Sequence, residues 1–250
     1  TPLDDEDNTT EEEIDDADKE KIAKCIKDAE MVLFDEGHML GCATLIDLNK
    51  ACVSARYKFA LSGTMWRQDG ASKMIEGAVG EKIIHIGASE LIKEGYLVPP
   101  IIHFVNIPEM EDLPTNYQSI YSKFVIHNDY RNEKIVSGAE QLVEKGRKVL
   151  ILVRNISHGK ILLEMLEDKF KTYFVRGEID SITRIRIKKE FVGGKIKALI
   201  ATTIFDIGLD LPPLDALILA SPTKSTSRSL QRIGRTLRIF PGKKDAIILD

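Results

Sequence analysis

Apolar residues fall into short dense runs separated by longer polar stretches, and those runs set the reading of the chain. Met31-Val32-Leu33-Phe34 is the first. Four apolar residues without a polar interruption predict a strand buried on both faces, as in a parallel sheet. Lys58-Phe59-Ala60-Leu61 is the second run, closed by Ser62-Gly63-Thr64. Helices are predicted over about 18–30 and 45–55. Pro99-Pro100, Pro108 and Pro114 then punctuate a segment with one extended apolar run, Ile101 to Val105. A long helix is predicted over about 117–145, broken near His127-Asn128-Asp129 and stopped at Gly146.

Regular alternation follows. Strands are predicted at 149–153, 172–175, 197–201, 216–220 and 246–249. Helices are predicted between them: 158–168 capped by Ser157, one from Asp180 or Ser181 to Gly193-Gly194, and 225–238. Apolar strands alternating with helices predict an α/β fold whose parallel sheet is covered on both faces. The punctuation divides the chain into a leader (1–20), a first α/β region (21–98), a connection (99–116) and a second α/β region (117–250).

Composition narrows this picture. The 250 residues are 43% hydrophobic, enough for one large domain or two smaller ones. No apolar run approaches the roughly 20 residues that span a bilayer. The chain opens acidic rather than basic and apolar, so a soluble intracellular protein is expected, cytoplasmic or nucleoid/nuclear, without membrane partners. Cys25, Cys42 and Cys52 are odd in number with no CxxC spacing, which speaks against a disulfide framework or a zinc site. The net charge of −4 conceals an asymmetry. Residues 1–20 hold 11 Asp/Glu and one Lys, and the remaining 230 carry a net +6. The leader reads as an exposed or disordered stretch. The basic remainder is compatible with phosphate binding.

Four segments carry candidate chemistry. Asp35-Glu36 follow the first strand, where open α/β sheets bind ligands. One carboxylate of such a pair can hold a hydrated Mg²⁺ and the other can activate a water. The plainer reading is an exposed turn with two acids. Ser62-Gly63-Thr64 end the next strand and offer two hydroxyls for a hydrogen-bond relay, or form an ordinary strand-to-loop turn. In the segment 201–212, Thr202 and Thr203 could donate to a nucleic-acid phosphate, Gly208 permits close backbone approach, and Asp210 could meet a ribose or the metal site. Alternatively this is a polar loop with one capping Asp. Gln231, Arg235 and Arg238 are spaced to share one face of a helix, and Arg232 points elsewhere. Arginines opposite a triphosphate stabilise charge on the transferring group. A solvated basic face would not explain Gln231, Gly234 or the interleaved apolar residues.

In this order and spacing the four segments resemble motifs II, III, V and VI of superfamily 2 helicases. Val153-Arg154-Asn155 resembles motif IV, and Val175-Arg176-Gly177-Glu178 with Arg184 resembles the short motif between IV and V. The resemblance spans nearly the whole chain after residue 20. Residues 57–64 with Arg67 and Asp69-Gly70 are similar to the XPB-like and phage UvsW-like branch. The resemblance implies two RecA-like parallel-sheet lobes, 21–98 being the C-terminal part of an incomplete first lobe and 117–250 the second, with ATP and Mg²⁺ in the cleft between them. It implies that Asp35 coordinates Mg²⁺ and Glu36 activates the hydrolytic water. Ser62 and Thr64 couple hydrolysis to strand movement, and Gln231, Arg235 and Arg238 serve the γ-phosphate. Gly208 and Asp210 contact nucleotide, and Arg154, Thr202 and Thr203 contact nucleic acid. The partner expected is DNA rather than RNA, engaged by a monomeric motor. An RNA helicase, a non-catalytic helicase-like nucleic-acid-binding subunit and a restriction-motor subunit are the alternatives.

Two departures matter. No GxxxxGK[ST] loop occurs, and Gly146-Arg147-Lys148 and Gly242-Lys243-Lys244 lack its hydroxyl. In the family this loop lies upstream of the Asp-Glu motif, so an upstream segment is expected and the 250 residues alone should hydrolyse ATP negligibly. Gly37 and Gly63 also stand where the family more commonly has Ala, changes expected to be tolerated. His85, His103, His127 and His158 show no ligand spacing and read as surface or structural residues. Trp66 reads as packing against the lobe rather than stacking on a base.

Overall fold

The computed structural model describes residues 15–63, 72–108, 116–176, 180–202, 214–222 and 226–250, with the backbone alone at 181, 184 and 226–228. The chain divides into two compact units, Thr1–Ile84 and His85–Asp250, each with its own hydrophobic core.

In the first unit, helix α1 (Asp16–Asp28) precedes strand β1 (Met31–Phe34). A 3₁₀ turn (Gly37–Gly41) leads into helix α2 (Ala43–Ala51), strand β2 (Tyr57–Ala60) and helix α3 (Ser72–Val79). β1 and β2 pair in parallel, Met31 opposite Tyr57 and Leu33 opposite Phe59. Successive side chains leave opposite faces of a strand. Val32, Phe34 and Ala60 therefore share one face, where they pack with Leu40, Leu45, Leu48, Ile75 and Val79. The other face carries Met31, Leu33, Tyr57, Phe59 and Leu61, all exposed. The expectation that β1 is buried on both faces thus fails. The described helices cover one side only, and apolar content by itself does not report which side is covered.

The second unit is built around a six-stranded, wholly parallel sheet of order β3-β8-β7-β4-β6-β5. Its strands are β3 (Pro100–His103), β4 (Val149–Leu152), β5 (Thr172–Val175), β6 (Ala198–Ala201), β7 (Ala216–Leu219) and β8 (Ala246–Leu249). β4, β6 and β7 are buried at every residue because helices cover both faces. Leu150, Leu152, Leu199, Leu217 and Ile248 point to the side packed by Ile187 and Phe191 of helix α8 (Ser181–Val192). Val149, Ile151, Ile200 and Ile218 point to the side packed by helices α6 (Asp129–Glu144) and α7 (Ile156–Leu166). Helix α4 (Ala88–Lys93) opens the unit, and helix α9 (Thr226–Thr236) lies between β7 and β8 in the chain.

Several boundaries differ from the sequence-based expectation. The two units divide at Ile84/His85, and residues 100–103, read from sequence as part of the connection, pair with β8 as the sheet's edge strand. The helix expected over 117–145 is helix α5 (Tyr117–Tyr121), a π-type turn (Ser122–Ile126) and α6, the break falling at 127–128. Asn128 causes the restart, since its side chain caps the Arg131 backbone N–H at 3.0 Å. Helix α7 starts at Ile156 after Asn155, so Ser157 lies inside it and does not cap it. Asp180 caps α8 through the Thr183 N–H at 2.8 Å, as read from sequence.

Candidate nucleotide and nucleic-acid sites

In the first unit, Asp35 and Glu36 emerge at the carboxyl end of β1 and both are exposed. Glu36 has φ +50°, a left-handed conformation that non-glycine residues rarely adopt. The Asp35 carboxylate stabilises this turn by accepting the Glu36 backbone N–H at 2.8 Å. The turn is held down by the next residue. Gly37 is buried, and its N–H donates to the Leu61 carbonyl at 2.7 Å beside β2. A Cβ at Gly37 would lie 2.7 Å from Ala60 Cβ, closer than real contacts allow. Glycine fits at this position because the turn lies directly against the strand. At Gly63 nothing lies within 4 Å of a Cβ.

His38 closes the Asp35-Glu36-Gly37-His38 segment, and the sequence assigned it no role. Its Nδ1 lies 3.0 Å from Ser62 Oγ and 3.3 Å from Glu36 Oε2. The candidate water-activating carboxylate and the candidate coupling hydroxyl thus share one imidazole nitrogen. With the proton on Nδ1 the ring donates to Glu36, and with it on Nε2 the Ser62 hydroxyl donates to Nδ1. A proton shift on one ring exchanges which of the two motifs it serves. The only sequence signal was a histidine two residues after the Asp-Glu pair. Thr64 lies outside the described residues.

In the second unit, Arg154 and Thr202 sit just past the carboxyl ends of the neighbouring strands β4 and β6. Arg154 is exposed, and its backbone N–H donates to Ser221 Oγ at 2.8 Å, past the end of β7. Thr202 is buried at 6% exposure. Arg131 donates to the Ala220 carbonyl at 2.7 Å, and burial lowers its pKa from the usual arginine value. Thr203, Gly208 and Asp210 lie outside the described residues, as do Gly177 and Glu178.

Helix α9 packs against β7 and carries Gln231 and Arg235, both partly exposed, while Arg232 is buried. The Gln231 Nε2 is buried and has no hydrogen-bond partner among the described residues. Arg238 corrects the sequence reading. The helix ends at Thr236, Leu237 enters the core, and Arg238 forms an antiparallel bridge with Leu97. Its position is set by backbone pairing, with the Val98 N–H donating to the Leu237 carbonyl at 2.9 Å, and not by helical periodicity. Lys243 fixes this end. Its ammonium donates to the carbonyls of Leu214 (2.6 Å), Arg238 (2.9 Å) and Thr236, supplying positive charge where helix carbonyls lack partners. Burial lowers the Lys243 pKa to about 8, and burial also raises that of nearby Asp215.

Residues 133–240 match the model of the helicase conserved C-terminal domain. The second unit thus carries the conserved C-terminal domain of a superfamily 2 helicase. The chain is 30% identical over 223 residues to the probable helicase D10 of Escherichia phage T5, covering 88% of this chain and 48% of that protein. It is 27% identical over 229 residues to the ATP-dependent DNA helicase uvsW of Enterobacteria phage T4, covering 88% and 45%. The chain therefore spans about half the length of these relatives. The DUF1998 helicase MrfA, solved bound to DNA, shares the fold with a TM-score of 0.63 at 14% identity, covering 95% of this chain and 35% of that one. The six-stranded parallel sheet of this second unit is that of a RecA-like lobe. Among the described residues no helix is long and apolar enough to cross a membrane.

Proposed function

We propose that the whole protein to which this chain belongs is an ATP-dependent DNA helicase or translocase. The observation that carries the reading is the division of charge between two parallel sheets. Exposed carboxylates stand past the carboxyl end of β1, and a helix carrying Gln231 and Arg235 follows β7. Asp35 is suited to hold a hydrated Mg²⁺. Among the described residues no three His, Cys, Asp or Glu side chains cluster, and Mg²⁺ usually binds through one or two carboxylates, waters and phosphates. That ion, when bound, neutralises charge on phosphate oxygens. Glu36 orients the attacking water, and His38 holds its carboxylate. Gln231, Arg235 and Arg238 serve the transferring phosphoryl group. The unpartnered Gln231 amide supports this, since it keeps donors for a ligand. Ser62 and Thr64 couple hydrolysis to motion, Gly208 and Asp210 contact nucleotide, and Arg154, Thr202 and Thr203 contact the strand. DNA is favoured over RNA by the likeness to the phage T4 protein named a DNA helicase.

The test is the ATPase of the whole protein with single-stranded DNA, duplex DNA or RNA. DNA stimulation is expected, with Glu36→Gln lowering kcat by about 10²- to 10⁴-fold while nucleic-acid binding survives. Stimulation by RNA alone would replace the DNA reading. No stimulation by any of the three would remove the motor reading.

A further inference from the structure

We propose that Tyr117 and Arg154 of the second unit form a clamp for one nucleotide of a single strand, the base stacking on Tyr117 and the phosphate engaging Arg154. The proposal rests on the nucleic-acid reading above and adds a stacking residue to it. Arg154 is held at three points. Its backbone N–H is tied to Ser221, its Nη1 donates to Tyr117 Oη at 3.3 Å, and its guanidinium lies over the Tyr121 ring at 5.8 Å. Tyr121 is buried at 7% exposure and packs with Val125, Ile126 and Ile161, so the surface beneath the guanidinium is rigid. Its hydroxyl is also buried and has no hydrogen-bond partner among the described residues. The Tyr117 ring lies 6.0 Å from that of Tyr121 at 43°, and Tyr117 remains 50% exposed.

The chemistry follows from what this leaves over. An arginine has five N–H donors, and a single hydroxyl uses one of them. The other guanidinium N–H groups have no partner among the described residues. The pair therefore presents an oriented, planar cation next to an exposed aromatic ring, past the carboxyl end of a parallel strand where such sheets bind ligands. Aromatic stacking on bases with cationic contacts to phosphates is how single strands are held without sequence readout. The local backbone is built for this placement. Asn116 caps α5 through the Gln118 N–H at 2.8 Å, and the π-type turn that follows shifts the register before α6. Such π-type turns are frequent at functional sites.

The test uses the 250-residue chain and labelled 15-nucleotide DNA and RNA strands, each also made abasic at every sugar, followed by fluorescence anisotropy across a salt series. Tyr117→Ala should weaken binding of the base-bearing strand by about 5- to 100-fold, while Tyr117→Phe stays within about twofold. The abasic strand should bind parent and Tyr117→Ala alike. The salt slope should be unchanged by Tyr117→Ala and reduced by about one by Arg154→Ala. The DNA and RNA arms report which strand is preferred. Tyr117→Ala binding like the parent, or weakening the abasic strand as much as the base-bearing one, would overturn the clamp while leaving the nucleic-acid reading in place. A chain that binds neither strand would remove that reading and the clamp with it.

Discussion

Acid should unfold the second unit through one residue, His158. This imidazole is fully buried on α7. Its Nε2 lies 2.9 Å from Asn132 Oδ1, and the Asn132 amide donates to the Ile126 carbonyl at 2.9 Å. The asparagine oxygen therefore faces the ring, so Nε2 carries the proton and donates. Nδ1 is buried with no partner among the described residues. A second proton would place an unsatisfied donor and a charge in the core. Burial, with Arg131 and His127 adding repulsion, lowers the His158 pKa from 6.5 to about 4. Below pH 6.5 the unfolded chain takes a proton that the native ring refuses, so stability falls with falling pH until the native ring also titrates near 4. Across that window the loss is about 3 kcal/mol, at about 1.4 kcal/mol per tenfold change in proton affinity. The contribution is complete above pH 6.5. Hydrogen exchange of peptides within 149–166, under urea at half-unit steps from pH 7 to 4.5, reads this unit directly. His158→Gln should be less stable at pH 7 but should lack the steep loss between 6.5 and 5. A variant that loses stability across that interval as fast as the parent would refute the reasoning.

Gly37→Ala should destabilise the first unit by about 1–3 kcal/mol through the forced contact with Ala60, whereas Gly63→Ala should leave it within about 0.5 kcal/mol. Hydrogen exchange over residues 57–63 separates the two. Lys243→Met should cost about 1–3 kcal/mol, because the buried carbonyls it serves lose a charged donor. It should also raise exchange at the C-terminal turn of α9, and unchanged protection there would show that the ammonium does not hold the helix end.

What the sequence disclosed depended on whether a residue's role is local. β4 and β7 were readable because all four residues of each are apolar, and a strand buried on both faces requires that. The restart at α6 was readable because Asn128 caps its own neighbourhood. Failures came where partners are distant. Nothing near Met31 and Leu33 reports which face of the sheet is covered. The helical face assigned to Arg238 assumed a helix continuing through that residue, while pairing with the distant Leu97 decides its place. The requirement for glycine at Gly37 comes from Ala60, and the tie between Glu36 and Ser62 runs through His38. Each is a contact between elements, and composition and spacing carry no record of it.

The uneven cores have a consequence for how the chain opens. Among the described residues, the first unit's core cluster holds three buried side chains, Phe34, Leu40 and Ile75, while the clusters flanking the second unit's sheet hold fifteen and fourteen. Burying so few side chains offsets little of the entropy of ordering a chain, so in the 250-residue chain the described part of the first unit should open at a lower free energy than the second. A protease should therefore cut within residues 31–61 before it cuts within 129–166.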